Sequence, residues 1–436
     1  MRDLKIYGAI KKYVKKNPVR FHMPAHKGRK FLNPCAKYDI TELSAVNNSQ
    51  VVKAAEKDCE KILGVKNVLF LTGGATSGIL IALFAIREKG KKIIINRSAH
   101  KSVYNGLKLF EIEPVIIDDA RENITTELIF NVFKKEKDVA AVFLTYPDYF
   151  GRTFDLKGIK AVCEKAGKVL ITDSAHGNHF KFCGLPYAGN IADISVESLH
   201  KTARTFNQGA IIIVNDRRFF DKAEEGANTF LTTSPSYPLL SSIEYGIKRQ
   251  AKDVKRAKNI IGYIDKAKEK LQNAGLKILP AEDPFKLTVL FGESGYDGLK
   301  IAACLEKRGI FPELVGKNEI LFMSSPATKK WEIIKLFKAV LFAIKDKSNS
   351  TEYKSAVNKG VPKRVMPYLT AVNAEWEFTP IESAEGKICA ENFGTIPPCR
   401  PLYVAGEIID NIAAEELFSQ ETFGVYEGKV KTVKVN

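Results

Sequence analysis

The chain has 436 residues, 45% hydrophobic and 27% charged, with a formal net charge of +17. That length calls for two or three domains, the balance is that of a soluble globular protein, and no apolar run reaches the roughly 18 residues of a membrane helix. The positive charge invites a nucleic-acid partner. However, the densest basic stretch, KRQAKDVKRAKNIIGYIDKAKEKL, has apolar residues at helical spacing, as in a helix with one solvated face, and neither zinc-finger spacing nor an RNA-binding aromatic signature is present.

Residues 1–40 predict a helix and an irregular arm; the start is basic but lacks the apolar core of a secretion signal. From 41 to 240 short apolar runs alternate with helical segments: NVLFL, KIIIN, VIID, AVFLTYP, KVLITDSA, ISVES and AIIIV. Strands of this kind are buried on both faces, which predicts an α/β domain with a mainly parallel sheet. Residues 241–345 predict one long helix, beginning near 238 and running to 274, and a small α/β domain. A polar linker over 346–361 and a C-terminal α+β domain over 362–436 follow. The seven cysteines are dispersed, odd in number and never spaced C-x-x-C, a pattern that favours reduced thiols in a cytoplasm over disulfides or zinc.

Four features of the α/β region suit one chemistry. VLFLTGGATSGIL is a strand, a glycine-rich turn and a helix start bearing Ala75, Thr76 and Ser77; helix N-termini bind anions. Asp173 ends the strand in VLITDSAHGNHF, where a carboxylate needs a positive partner. Lys201, in SVESLHKT, ends the next apolar run, and a lysine kept neutral there can hold an aldehyde. His100 follows KIIIN and offers a planar ring for stacking. Taken singly, each has an ordinary explanation: a ligand-free turn, a capping aspartate, a solvated lysine, a partly buried histidine. Together they describe pyridoxal phosphate, with phosphate on the helix, ring nitrogen on Asp, aldehyde on Lys and a flat side chain over the ring.

The motifs FHMPAHKGR, NRSAHKSVYNGL, LTYPDYFG, DSAHGNHF, SLHKT, TTSPSY and IPPCRPLYVAGEII, in this order, resemble the Orn/Lys/Arg decarboxylases, in particular their short Gram-positive form, over essentially the whole chain. The resemblance implies the fold-type I, aspartate aminotransferase-like architecture of pyridoxal phosphate enzymes. It implies a cytoplasmic homodimer with shared sites that decarboxylates lysine, arginine or ornithine. The alternatives are another pyridoxal phosphate reaction, such as transamination or β-elimination, and a non-catalytic or nucleic-acid-binding homologue. By resemblance, Lys201 carries the cofactor, Asp173 meets the ring nitrogen and His100 covers the ring. Ala75, Thr76, Ser77, Ser198 and His200 lie at the phosphate, and His176 lies beside the reacting carbon. Glu407 meets a distal substrate cation. Thr233, Ser234, Ser236 and Tyr237 approach the partner's phosphate.

Three departures from the family pattern bear on the substrate. GGAT replaces NGTT, removing polar side chains at Gly73 and Ala75. TELSAVNNSQ lacks an acidic, histidine-containing segment. PPCRP replaces PPGIP, so that Arg400 is expected to face the site.

Overall fold

The computed structural model describes residues 19–21, 48–87, 92–119, 123–352, 361–396, 399–410 and 421–434. The expected N-terminal helix and most of its arm, most of TELSAVNNSQ, and the middle of the linker lie outside the described residues.

The seven apolar runs form one sheet. Its strands are β2 (Val68–Leu71), β3 (Lys92–Asn96), β4 (Glu113–Ile117), β5 (Val139–Thr145), β6 (Val169–Asp173), β7 (Ile194–Glu197) and β8 (Ala210–Val214), in the order β2-β8-β7-β6-β5-β3-β4. The pairs β4–β3, β3–β5, β5–β6 and β6–β7 are parallel, and β8 runs antiparallel to both its neighbours. Alternation divides each strand between two cores. Ile95, Phe143, Ile171, Val196 and Ile212 enter one, while Ile94, Val142, Leu170, Ile211 and Ile213 enter the other. Each such side chain, fully buried, contributes about 1.5–3 kcal/mol, which explains the near absence of polar residues in these runs.

Helices cover both faces. On one, α2 (Gly74–Ile86) is apolar along most of its length and packs with α8 (Arg217–Phe230). It lies close to the sheet because a Cβ at Gly78 would come within 2.7 Å of both Leu71 and Val196. α3 (Lys101–Leu109) follows β3 on the same face; on the other are α1 (Asn48–Leu63), α4 (Thr126–Lys135) and α5 (Leu156–Lys165). Asp155 and Asp216 cap α5 and α8 by accepting hydrogen bonds from Gly158 and Arg218 backbone N–H groups.

The single long helix expected over 238–274 is instead two helices, α9 (Tyr237–Lys252) and α10 (Val254–Asn273). They break at Asp253, whose buried carboxylate is held by Arg204 and Arg249 at 3.3 and 2.9 Å. α10 leads into a second sheet of β9 (Lys277–Ile278), β10 (Lys286–Leu290), β12 (Leu314–Val315) and β13 (Ile320–Met323), ordered β12-β13-β10-β9. α11 (Gly298–Glu306) and α12 (Lys330–Ala343) pack on it, and β11 (Ile310–Phe311) pairs in parallel with β1 (Val19–Arg20).

The C-terminal part holds α13 (Tyr368–Asn373) and two three-stranded sheets. One joins β14 (Trp376–Pro380), β18 (Val425–Tyr426) and β19 (Lys429–Val433); the other joins β15 (Phe393–Ile396), β16 (Arg400–Tyr403) and β17 (Glu421–Phe423). Its attachment to the large domain is both apolar, with Tyr368, Ala371, Val404 and Ala405 joining the core beneath α2 and α3, and polar. Tyr368 and Leu369 N–H groups donate to the Glu113 carboxylate, and Tyr368 Oη donates to Tyr104 O. Arg97, just after β3, donates through both terminal nitrogens to buried Glu407, and its Nη2 also donates to Leu402 O at 2.8 Å. Removing one member of a buried ion pair strands the other, at a cost of about 3–5 kcal/mol. Glu407→Ala is therefore expected to lower stability in urea by that amount, and the double variant Arg97→Met/Glu407→Leu to regain much of it.

Candidate active site

The carboxyl ends of β3, β5, β6 and β7 open into a cleft of about 610 Å³, within the range of small-molecule sites. Asp173 is the last residue of β6, and its Oδ1 accepts from the Ala175 N–H at 3.1 Å. β7 ends at Glu197, and after the short α6 (Phe180–Cys183) earlier in the chain, Ser198 leads into α7 (Leu199–Thr202), a short turn of helix that carries Lys201. Lys201 Nζ lies 3.1 Å from His176 Nε2. Burial pushes the Lys201 amine below the usual lysine range, against the attraction of Asp173, Glu313 and Cys399. Burial raises Asp173, against the pull of Lys201 and the Ala175 N–H. His176 is held well below the usual histidine value by burial and then by Lys201 and Lys286, so its ring is neutral.

The other walls come from loops. His100 caps α3, its Nδ1 accepting from the Ser102 N–H at 3.2 Å. The loop after β5 brings Tyr149, whose ring meets His176 edge-on at 5.2 Å, with Asp148, Phe150 and Arg152 also on the cleft. At the N-terminus of α2, Gly74 has φ +74° and donates its N–H to Gln208 O at 2.9 Å. Ala75 and Thr76 line the cleft beside it. Ser198 Oγ lies 3.2 Å from His200 Nδ1, and both residues line the cleft. Arg400, from the start of β16, lines it too, with its guanidinium 5.9 Å from the Phe150 ring centre.

The sequence-predicted residues Lys201, Asp173, His176, His100, His200, Ser198, Ala75, Thr76 and Arg400 thus converge on one cleft. Two others do not. Ser77 is buried and turns its hydroxyl onto Gly74 O at 2.8 Å, closing its own helical turn and staying off the cleft wall. Glu407, expected at the substrate cation, is also off the wall: Arg97 and the Val404 N–H saturate its carboxylate.

The family model for the major domain of Orn/Lys/Arg decarboxylase matches residues 5–284. The chain belongs to the Orn/Lys/Arg decarboxylase family. Among relatives of this decarboxylase-family chain, an uncharacterized Bacillus subtilis protein, YaaO, is 27% identical, covering 94% of this chain and 93% of its own. An arginine decarboxylase of the same organism is 26% identical, covering 93% and 91%. The solved structure of the Escherichia coli constitutive lysine decarboxylase superposes with a TM-score of 0.73 at 17% identity, covering 93% of this chain and 76% of that one.

The donor set in this family member fits pyridoxal phosphate. A helix N-terminus with Thr76 and Ser198 hydroxyls suits the phosphate, Asp173 suits a protonated ring nitrogen, and Lys201 suits the aldehyde. Gly73 leaves the turn open, since a Cβ there would press on Ser77 at 3.0–3.1 Å.

Sequence reasoning missed several residues of the site. Asp119 and Asp148 line the cleft. Asp119 accepts from the Ser98 N–H and hydroxyl and from Asn96, while Asp148 accepts from Arg152. Behind Lys201 lie His179, Asp283 and Lys286. The visible signal for Lys286 was a lysine opening a short, mainly apolar strand, KLTVL.

Burial, then the Lys201 and Lys101 charges, push His100 down to about 3. In the unfolded chain it titrates near 6.5, so between those values the unfolded state binds the extra proton. Its contribution to stability is complete above about pH 6.5 and lost as pH falls toward about 3. His100→Gln is expected to flatten this part of the urea-stability profile of the cofactor-free protein.

Proposed function

We propose that the protein decarboxylates a basic amino acid (lysine, arginine or ornithine), using pyridoxal phosphate, to give cadaverine, agmatine or putrescine. The observation that carries this proposal is the convergence of Lys201, His176 and Asp173 in one buried corner of a family-typical cleft. When bound, pyridoxal phosphate supplies the electron sink for the bonding pair released as CO₂ departs.

The chain's own residues have separable tasks in this proposal. Lys201 offers an amine that burial keeps poised toward its neutral, nucleophilic form. Asp173 favours a protonated nitrogen next to it through charge in a low-dielectric setting. His176, neutral and 3.1 Å from the Lys201 amine, can take or return a proton at that nitrogen. Thr76, Ser198, His200 and the start of α2, which line the cleft, would hold the phosphate, and His100 would cover the ring. With Glu407 tied to Arg97, a distal substrate cation turns to Asp119 or Asp148 on the cleft wall.

The proposal includes a homodimer that places Thr233, Ser234, Ser236 and Tyr237 near the partner's phosphate site. In support, Thr233 and Ser234 are exposed just before α9. It also includes a cytoplasmic, polyamine-forming role. The six described cysteines are free, in keeping with a reducing compartment, and no helix among the described residues is long and apolar enough to cross a membrane.

A screen of the twenty amino acids for CO₂ and amine product is the direct test; keto-acid formation without CO₂ rejects decarboxylation. Arg400 on the cleft wall opposes a dicationic substrate, by about 1–3 kcal/mol if within about 6 Å of the cation. Arg400→Ile is therefore expected to raise kcat/KM for lysine, arginine or ornithine roughly tenfold or more, and an unchanged value places Arg400 away from the cation.

Asp173→Asn is expected to retain cofactor binding while losing most of kcat, because an amide cannot stabilise a protonated ring nitrogen. Near-normal turnover assigns the carboxylate a structural role.

A further inference from the structure

Lys286 opens β10 in the small domain and is 4% exposed. Its Nζ donates to Tyr149 O at 2.5 Å and to Asp148 O at 3.2 Å. Three residues earlier, the Asp283 N–H donates to Gly151 O at 3.0 Å, and Asp283 Oδ1 lies 2.9 Å from His179 Nε2. One short stretch of the small domain thus grips the 148–151 loop at two points. The seam is tight: Gly151 has φ +92°, and a Cβ there would fall 2.6 Å from Asp283 Cβ and 3.0 Å from Lys286 Cδ. The loop it holds carries Tyr149, which supports the His176 ring. Lys286 also lines a small space together with Lys201, His176, His179 and Asp283.

We propose that Lys286 is a positioning residue for the Lys201–His176 pair: it fastens the Tyr149 loop and places a fixed positive charge behind the Lys201 amine. The inference rests on Lys201 being the reactive amine of the proposed function. Around Lys201 stand Asp173 from β6, His176 from the following turn, His100 from the α3 cap, Glu313, Cys399 and Lys286. Asp173, Glu313 and Cys399 favour the ammonium form of Lys201, while the Lys201 and Lys286 ammonium groups repel each other. Burial, with the Lys201 charge, brings the Lys286 ammonium down to about 8, against the attraction of Asp283, Asp148 and Glu313. At neutral pH it therefore remains mostly charged while favouring a neutral Lys201.

The test is NMR titration of the cofactor-free protein labelled with ¹³Cε-lysine, with signals assigned through single Lys→Arg variants. In the wild type, Lys201 is expected to lose its proton at lower pH than Lys286; the reverse order overturns the proposal, because Lys286 would then be uncharged when needed. Lys286→Gln keeps a donor for the loop carbonyls but removes the charge, and is expected to raise the Lys201 midpoint by about one pH unit. Lys286→Arg is expected to leave it near the wild-type value. A Lys201 midpoint unmoved in Lys286→Gln, or moved equally by Gln and Arg, also overturns the proposal. If Lys286→Gln does not fold, the wild-type order of the two titrations still decides. Because no turnover is measured, a failed decarboxylation assay leaves this test standing.

Discussion

Lys201 holds an amine out of water at the carboxyl edge of the sheet, and much of the site answers the cost of doing so. A buried ammonium needs close negative charge or must give up its proton. Asp173 supplies the charge from the neighbouring strand, while desolvation presses toward the neutral form. His176 sits between, its own proton driven off by the same surroundings. The geometry depends on adjacent parallel strands, since Asp173 pairs with Val196 in register and so brings its carboxylate beside the turn that carries Lys201.

Three parts of the chain meet at this corner. The large domain supplies the strand ends, the small domain grips the Tyr149 loop, and the β15–β16 hairpin brings Arg400 over the cleft. The hairpin is tied down locally by the Lys101 N–H, which donates to Cys399 O at 2.9 Å right beside His100. The Arg97–Glu407 pair then fixes the C-terminal part to the loop leaving β3. A carboxylate expected at the substrate thus helps to locate the wall that carries Arg400.

The sheet was legible because strands buried on both faces tolerate almost nothing but apolar residues, so each run stood out from its helical neighbours. The reversal of β8 was less so: Gln208, at φ +71°, and Gly209 turn the chain back after α7, and neither announces a strand direction. Lys201, Asp173, His176 and His100 were found because each follows an apolar run and sits in a family motif. Glu407 was misplaced because a motif shows that a carboxylate is present but not what it faces, and Arg97 is 310 residues away in sequence. Lys286 escaped for the same reason, its loop partners lying 137 and 138 residues earlier. The break at Asp253 was hidden by unbroken helical spacing on either side, and the partner of its buried carboxylate, Arg204, lies outside both helices.

Two carboxylates at adjacent strand ends show how surroundings, rather than residue type, divide the work. Asp173 ends β6 facing a cleft that holds an amine; its counter-charge is a cation. Glu197 ends β7 fully buried and receives only neutral donors: Asn178 Nδ2 at 2.6 Å, Tyr187 Oη at 3.0 Å and, more weakly, Ser195 Oγ. Without a cation, burial lifts Glu197 to about 7 despite those hydrogen bonds. A group balanced there is a poor permanent anion but a good hydrogen-bonding hub. It ties Tyr187 and Asn178 to the last residue before Ser198, so that the start of the Lys201 turn is held from behind. The carboxylate with a cation beside it faces the cleft, and the one that braces the turn is buried among neutral groups.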